Sequence, residues 1–244
     1  FNSRKYKLFG IINGIDTKNY DPMTDPNIAV NYGPDSIDKK IEDKLALQRE
    51  LGLTEDPTIP LYGMVSRLTM QKGANLVAEL LPQFMERTMQ LVVLGTGEFQ
   101  YENAIGDFAY HHPENFAARI TFDESLSRRI YAGSDVFLMP SQFEPCGLAQ
   151  MISMRYGTLP LVRETGGLKD TVSGYWDVGE EANGFSFRDF DIEGLRNAVD
   201  LAQNIWYDHP DIWKKMQSNA LAMDFSWDKS AGEYRELYNY ILGE

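Results

Sequence analysis

Arg67 and Lys72 share one short loop, and they are the residues in this sequence best placed to do chemistry together. The segment Val65-Ser66-Arg67-Leu68-Thr69-Met70-Gln71-Lys72-Gly73 leads from an apolar run into an amphipathic stretch, so both cations can meet one anion. A guanidinium offers a planar fork of donors and an ammonium a compact charge, a pair suited to a pyrophosphate whose leaving-group charge must be stabilised. Two solvated surface cations are the plainer reading of the same residues. Thr165-Gly166-Gly167-Leu168 follows a second apolar run. Glycines at a helix start leave backbone N–H groups bare and admit a phosphate closely, although a simple left-handed turn needs glycine too. In Phe143-Glu144-Pro145-Cys146-Gly147-Leu148 the acid lies before a helix expected to begin at Pro145. From that position Glu144 either caps the helix or accepts hydrogen bonds from a ligand's hydroxyls.

Other candidates carry less. Gly95-Thr96-Gly97 follows a strand and opens a helix, but Gln100 stands where a dinucleotide fingerprint needs its third glycine, so a tight turn is the better reading. Cys146 has no histidine in its motif, which leaves a catalytic thiolate with little support. His111, His112 and His209 show no metal-ligand spacing, and neither a metal nor another cofactor is expected.

The elements that must position these residues follow from periodicity. Turn dipeptides between Asn13 and Pro34 mark residues 1–56 as an extension or linker, with a strand over Leu8–Ile12 and a closing helix over Ser36–Leu51. That helix should bury Ile41, Leu45, Leu47 and Leu51 and stop at Gly52. Strands are expected at 61–65, 90–94, 118–122, 136–139, 158–162 and 185–187, with helices at 74–86, 98–110, 124–132 and after Pro145. The remainder reads as helical over 192–206, 210–222 and 229–242. Continuous apolar strands imply burial on both faces, hence an α/β fold with a doubly wound, Rossmann-like parallel sheet over 57–222. Ligands in such folds sit beyond the carboxyl ends of the strands, where the motifs above fall.

Composition narrows the function classes. The 244 residues carry 23 Lys and Arg against 36 Asp and Glu, a net charge of −13, so no bulk basic surface for nucleic acid is expected. One cysteine cannot form an internal disulfide, no run is apolar enough to span a bilayer, and the reducing cytoplasm is the default compartment. The opening Phe1-Asn2-Ser3 lacks an initiator Met, and the expectation is a chain that begins inside a longer protein.

Six motifs in register resemble the bacterial glycogen synthase and plant starch synthase family: Asn13-Gly14-Ile15-Asp16, Ser66–Gly73, Phe143–Leu148, Tyr156-Gly157-Thr158-Leu159-Pro160, Thr165–Leu168 and Met223-Asp224-Phe225-Ser226-Trp227. The resemblance implies the C-terminal, nucleotide-sugar-binding half of a two-domain GT-B glycosyltransferase that acts without a metal and retains configuration. It implies that Arg67 and Lys72 bind the pyrophosphate of ADP-glucose, that Gly166 and Gly167 donate N–H groups to it, and that Asn13 and Glu144 hold the glucosyl unit. Cys146, Gly147, Leu148 and Thr165 complete the expected donor contacts, and Phe122 takes the place of an aromatic that stacks on adenine. Ile152 stands where many related transferases carry a second glutamate, consistent with the synthase branch. The expected acceptor is an α-1,4-glucan, glycogen or starch, in the cytoplasm or, for a plant protein, the plastid. The final helix, residues 223–244, is expected to cross back onto an N-terminal domain, with a stripe of Trp227, Ala231, Tyr234, Tyr238 and Ile241. The half-chain alone is expected to bind ADP without making glucan.

Two other readings remain: a related GT-B enzyme using UDP-glucose or a sucrose-linked partner, and a nucleotide-binding module without turnover. An NAD-dependent dehydrogenase is disfavoured by Gln100.

Overall fold

The computed structural model describes residues 8–84 and 86–243. The strands are β1 (Leu61–Val65), β2 (Gln90–Leu94), β3 (Phe116–Arg119), β4 (Val136–Met139), β5 (Leu159–Arg163) and β6 (Phe185–Phe187), joined as one parallel sheet in the order β3-β2-β1-β4-β5-β6. The order reverses beside β1, which pairs with both β2 and β4. A crevice opens at such a switch point because the connections leave the two central strands in opposite directions.

Alternate residues of the central strands face opposite layers. Tyr62, Met64, Leu91, Val93, Val136 and Leu138 pack with α2 (Ala74–Phe84) and α8 (Ile192–Asp208). Leu61, Val92, Leu94 and Phe137 pack with α1 (Lys40–Leu51), α4 (Glu124–Gly133) and α5 (Ala149–Arg155) on the other side. Each strand therefore buries both faces, as continuous apolar strands require. The remaining helices are α3 (Phe99–His111), α6 (Gly166–Thr171), α7 (Tyr175–Val178), α9 (Pro210–Leu221) and α10 (Trp227–Leu242).

Several boundaries differ from the sequence reading. Leu8–Ile12 forms no strand: the Ile12 carbonyl accepts from Ser230 Oγ (2.8 Å), and Ile15 N–H donates to Phe225 O, so this stretch bonds beside α10 instead of joining the sheet. β3 begins at Phe116, ahead of the expected position, and residues 120–123 have already left the sheet. α5 starts at Ala149 and not at Pro145, because residues 145–148 form an irregular turn in which Gly147 takes φ +74°. The turn-rich segment expected as linker contributes Ile15, Ile28 and Tyr32 to the second core layer.

α1 exposes Ile41 and buries a polar face instead: Lys40, Asp43, Lys44 and Gln48 lie inside with Leu47 and Leu51. Each of the four finds partners. Lys44 pairs with Asp135 at 2.7 Å, Gln48 donates to Gln90 Oε1, and Asp43 accepts from the Ala29 and Val30 amides. Lys40 Nζ donates to the Tyr131 and Ala132 carbonyls at the end of α4 and to Thr158 Oγ1. Burial pushes the Lys40 ammonium down to about 7, opposed by the nearby Asp135 and Asp43 carboxylates, with Lys44 adding to the depression.

An unfolded lysine keeps its proton to about pH 10.4, so between pH 7 and that value the unfolded chain binds more protons at this residue than the folded one. Lys40 therefore contributes a stability that rises with pH from about 7, at up to about 1.4 kcal/mol per pH unit. Buried Tyr62, Tyr131 and Tyr156, whose phenols burial holds above their usual value, reverse the trend at higher pH. Urea unfolding of the wild type and Lys40→Met between pH 6.5 and 9 should show this rise in their difference; parallel stability curves would refute it.

Candidate functional site

The Arg67 loop leaves β1 braced against the turn that follows β2. Ser66 N–H donates to Leu94 O (3.1 Å), Leu68 N–H to Thr96 O (2.9 Å) and Glu98 N–H to Leu68 O (2.8 Å). The two glycines of Gly95-Thr96-Gly97 permit this approach. A Cβ on Gly95, at φ +157°, would lie 1.8 Å from Ser66 O, and one on Gly97 would lie 2.2 Å from Leu68 O. Their role is the close turn, a floor beneath Arg67.

A 3-10 turn, Met70–Lys72, then ends at Gly73 (φ +77°) and aims Lys72 at Glu144, with which it forms an ion pair. The loops bearing them are also joined through their backbones: Gln142 N–H donates to Gln71 O (2.8 Å), and Gln71 Nε2 to Phe143 O (3.2 Å). Glu144 is 8% exposed. It does not cap a helix, as the alternative reading required, because α5 starts five residues later and its N-cap is Leu148. Arg67 is exposed and has no ion-pair partner among the described residues.

These side chains line a cavity of about 240 Å³ with Ser66, Ser141, Gly147 and Leu148. A second cavity of about 420 Å³ adjoins it, shares Val65, Ser66 and Arg67, and extends past Thr96 to Tyr20 and Phe122. Phe122 is 88% exposed. Arg67 thus stands where the two cavities meet, over the carboxyl ends of the central strands. One chamber has an aromatic wall and the other a half-buried lysine paired with a buried glutamate.

The other residues expected at the site line neither cavity. Asn13 is exposed near α10, where Gly14 packs against the Trp227 backbone. Cys146 is half-buried and packs into the second core layer. Thr165 precedes α6 without donating or accepting a capping bond through its side chain. Gly166 (φ +46°) and Gly167 seat α6 against the Glu144–Cys146 turn: added Cβ atoms would come within 2.1 Å of Glu144 O and 2.2 Å of Cys146 O. Gly167 N–H donates to Pro145 O (3.1 Å), contrary to the expectation that both glycine amides are available, whereas the Gly166 N–H has no partner among the described residues.

Tyr20 was absent from the sequence-based site, as was Arg128, whose guanidinium lies 4.4 Å from the Tyr20 ring centroid. A further cavity of about 240 Å³ lies at the opposite end of the strands, where Lys44 pairs with Asp135 and stacks on Trp206 at 4.6 Å. No helix among the described residues is long and apolar enough to cross a membrane.

Residues 44–219 match the family model for glycosyl transferases group 1. The chain is 48% identical over 235 residues to a glycogen synthase of Streptococcus mutans, covering 96% of this chain and 49% of that protein. It is 50% identical to one of Clostridioides difficile with the same coverage. The chain spans about half the length of the curated relatives it matches. Among solved structures, the catalytic domain of starch synthase IV from Arabidopsis thaliana bound to ADP and acarbose aligns with a TM-score of 0.90 and 36% identity, covering 100% of this chain and 51% of that one. These similarities agree with the six motifs and with a GT-B C-terminal domain.

Proposed function

The chain belongs to the glycosyl transferases group 1 family, and on that premise we propose that it is the ADP-glucose-binding half of a cytoplasmic glycogen or starch synthase that transfers glucose, with retention, to the 4-hydroxyl of an α-1,4-glucan. The observation that carries this reading is the joined cleft, which sets an exposed aromatic, a guanidinium without an ion-pair partner among the described residues and a largely buried Lys–Glu pair in sequence along the carboxyl edge of the sheet.

In this reading the adenine stacks on Phe122, the diphosphate crosses Arg67, and the glucosyl unit reaches Glu144 with Asn13 nearby. Lys72 exchanges its bond to Glu144 for one to the departing phosphate. That exchange releases the Glu144 carboxylate to accept from sugar hydroxyls, so one ion pair couples recognition of nucleotide and sugar. The Gly166 amide adds a neutral donor to the diphosphate. Arg67 and Lys72 stabilise the charge that develops on ADP as the glycosidic bond to phosphate breaks. No carboxylate of this half is assigned as nucleophile; the acceptor hydroxyl attacks from the face the phosphate leaves, and its proton passes to the departing phosphate oxygen as the bond to that oxygen breaks. Closure of the N-terminal domain over the cleft excludes water and supplies the acceptor site, so this half alone binds donor without turnover.

Calorimetric titration with ADP, ADP-glucose and UDP-glucose tests the reading. The wild type should bind ADP and ADP-glucose in preference to UDP-glucose. Glu144→Gln should hold ADP at least as tightly, having freed Lys72, while losing any added affinity for ADP-glucose. Absence of ADP binding would refute the proposal, and preference for UDP-glucose would reassign the donor.

A further inference from the structure

The chamber entered past Arg67 has two aromatic residues in its lining, Phe122 and Tyr20, and they are held very differently. Phe122 follows an edge strand and is almost fully exposed. A base stacked on it alone keeps its other face in water. Tyr20 is half-buried and rests against the Arg128 guanidinium at 4.4 Å. Arg128 is 4% exposed and bound on several sides: it donates to Asn19 O, the residue before Tyr20, to Asp25 at 3.4 Å, and to Glu124 at 3.0 Å. Asp25 is itself held by the Tyr156 hydroxyl and by Asn27. A ring backed by so constrained a cation loses little freedom when a ligand meets it.

We infer that Tyr20 is the second wall of the base slot that begins at Phe122, and that Arg128 is the positioning residue that holds it there. The inference rests on the reading of the cleft as a nucleotide site and extends it to the residue that grips the base. A purine offers more π-face to such a slot than a pyrimidine, so Tyr20 favours ADP over UDP. Arg128 acts through Tyr20 and does not touch the ligand.

The test is ADP titration of the wild type, Tyr20→Leu, Tyr20→Phe, Arg128→Gln and the Tyr20→Leu/Arg128→Gln double variant, with thermal unfolding as a check on folding. Loss of one base–aromatic stack weakens binding by about tenfold. Tyr20→Leu should lose that factor and a corresponding share of its preference for ADP over UDP, while Tyr20→Phe stays within twofold of the wild type. Arg128→Gln should lose a similar factor, with no further loss when added to Tyr20→Leu. If Arg128→Gln fails to fold, the two Tyr20 variants decide. Folded Tyr20→Leu binding ADP as the wild type does, or Tyr20→Phe failing as badly as Tyr20→Leu, overturns the slot alone. A wild type that takes up no ADP overturns the function reading and the slot with it.

Discussion

Lys72→Ala, in the intact enzyme, should lower glucosyl transfer roughly a hundredfold, because removing one charged contact to a leaving group costs about 3 kcal/mol in the transition state. The structure adds a second consequence. Glu144 is buried and has Lys72 as its ion-pair partner, so the variant leaves a carboxylate inside without its countercharge. Breaking a fully buried pair costs 3–5 kcal/mol; partial exposure of Lys72 screens this one, and about 2 kcal/mol of lost stability is expected. The two effects separate in Lys72→Ala/Glu144→Gln. The neutral amide restores most of the stability, since no charge is stranded, while transfer remains at least as low. Chemical denaturation and incorporation of labelled glucose into glycogen, measured on both variants, check this. Lys72→Ala turning over normally would remove Lys72 from the leaving-group site.

Gly167→Ala should be nearly as damaging, through packing alone. The added methyl would sit 2.2 Å from Cys146 O and 2.5 Å from Cys146 Cα, both backbone atoms that no rotamer change can move aside. The turn carrying Glu144 must shift or α6 must lift away. Overpacking of this kind costs about 2–3 kcal/mol, a fall in Tm of roughly 5–10 °C for a domain of this size. Misplacement of Glu144 by about an ångström would cost on the order of a hundredfold in transfer. Gly106→Ala is the control: it lies within α3 with nothing inside 4 Å of its Cβ and should stabilise by about 0.5–1 kcal/mol. Differential scanning calorimetry distinguishes the two, and a Gly167→Ala protein that melts with the wild type would contradict the packing argument.

The sheet and the loop with Arg67 and Lys72 were legible in the sequence because the signals are local: apolar runs of strand length, each followed by a polar loop. Phe122 was legible only by resemblance, since it lies in the irregular stretch after a short edge strand, which has no periodicity of its own. Tyr20 and Arg128 left no such trace. Tyr20 lies among turn residues, and Arg128 on an amphipathic helix reads as solvent-facing. Its burial depends on Asn19 and Asp25, more than 100 positions away. α1 misled for the same reason, as Lys40, Asp43, Lys44 and Gln48 are polar to any sequence scale and become interior only through partners elsewhere in the chain. The paired glycines at 166 and 167 announced a close approach without saying to what; one of the two amides went to Pro145.

The sheet order gives the cleft an uneven rigidity. Arg67 hangs from β1, bonded on both sides, whereas Phe122 follows β3, a four-residue strand bonded only to β2. Amides of a central strand tend to open with large cooperative units, while those of an edge strand open in smaller local excursions. Arg67 is thus anchored on both sides, whereas Phe122, unlike the braced Tyr20, follows a strand with a single partner. On the proposed reading, nucleotide uptake should slow hydrogen exchange chiefly at β3 and the residues after it, the base immobilising the wall it stacks on.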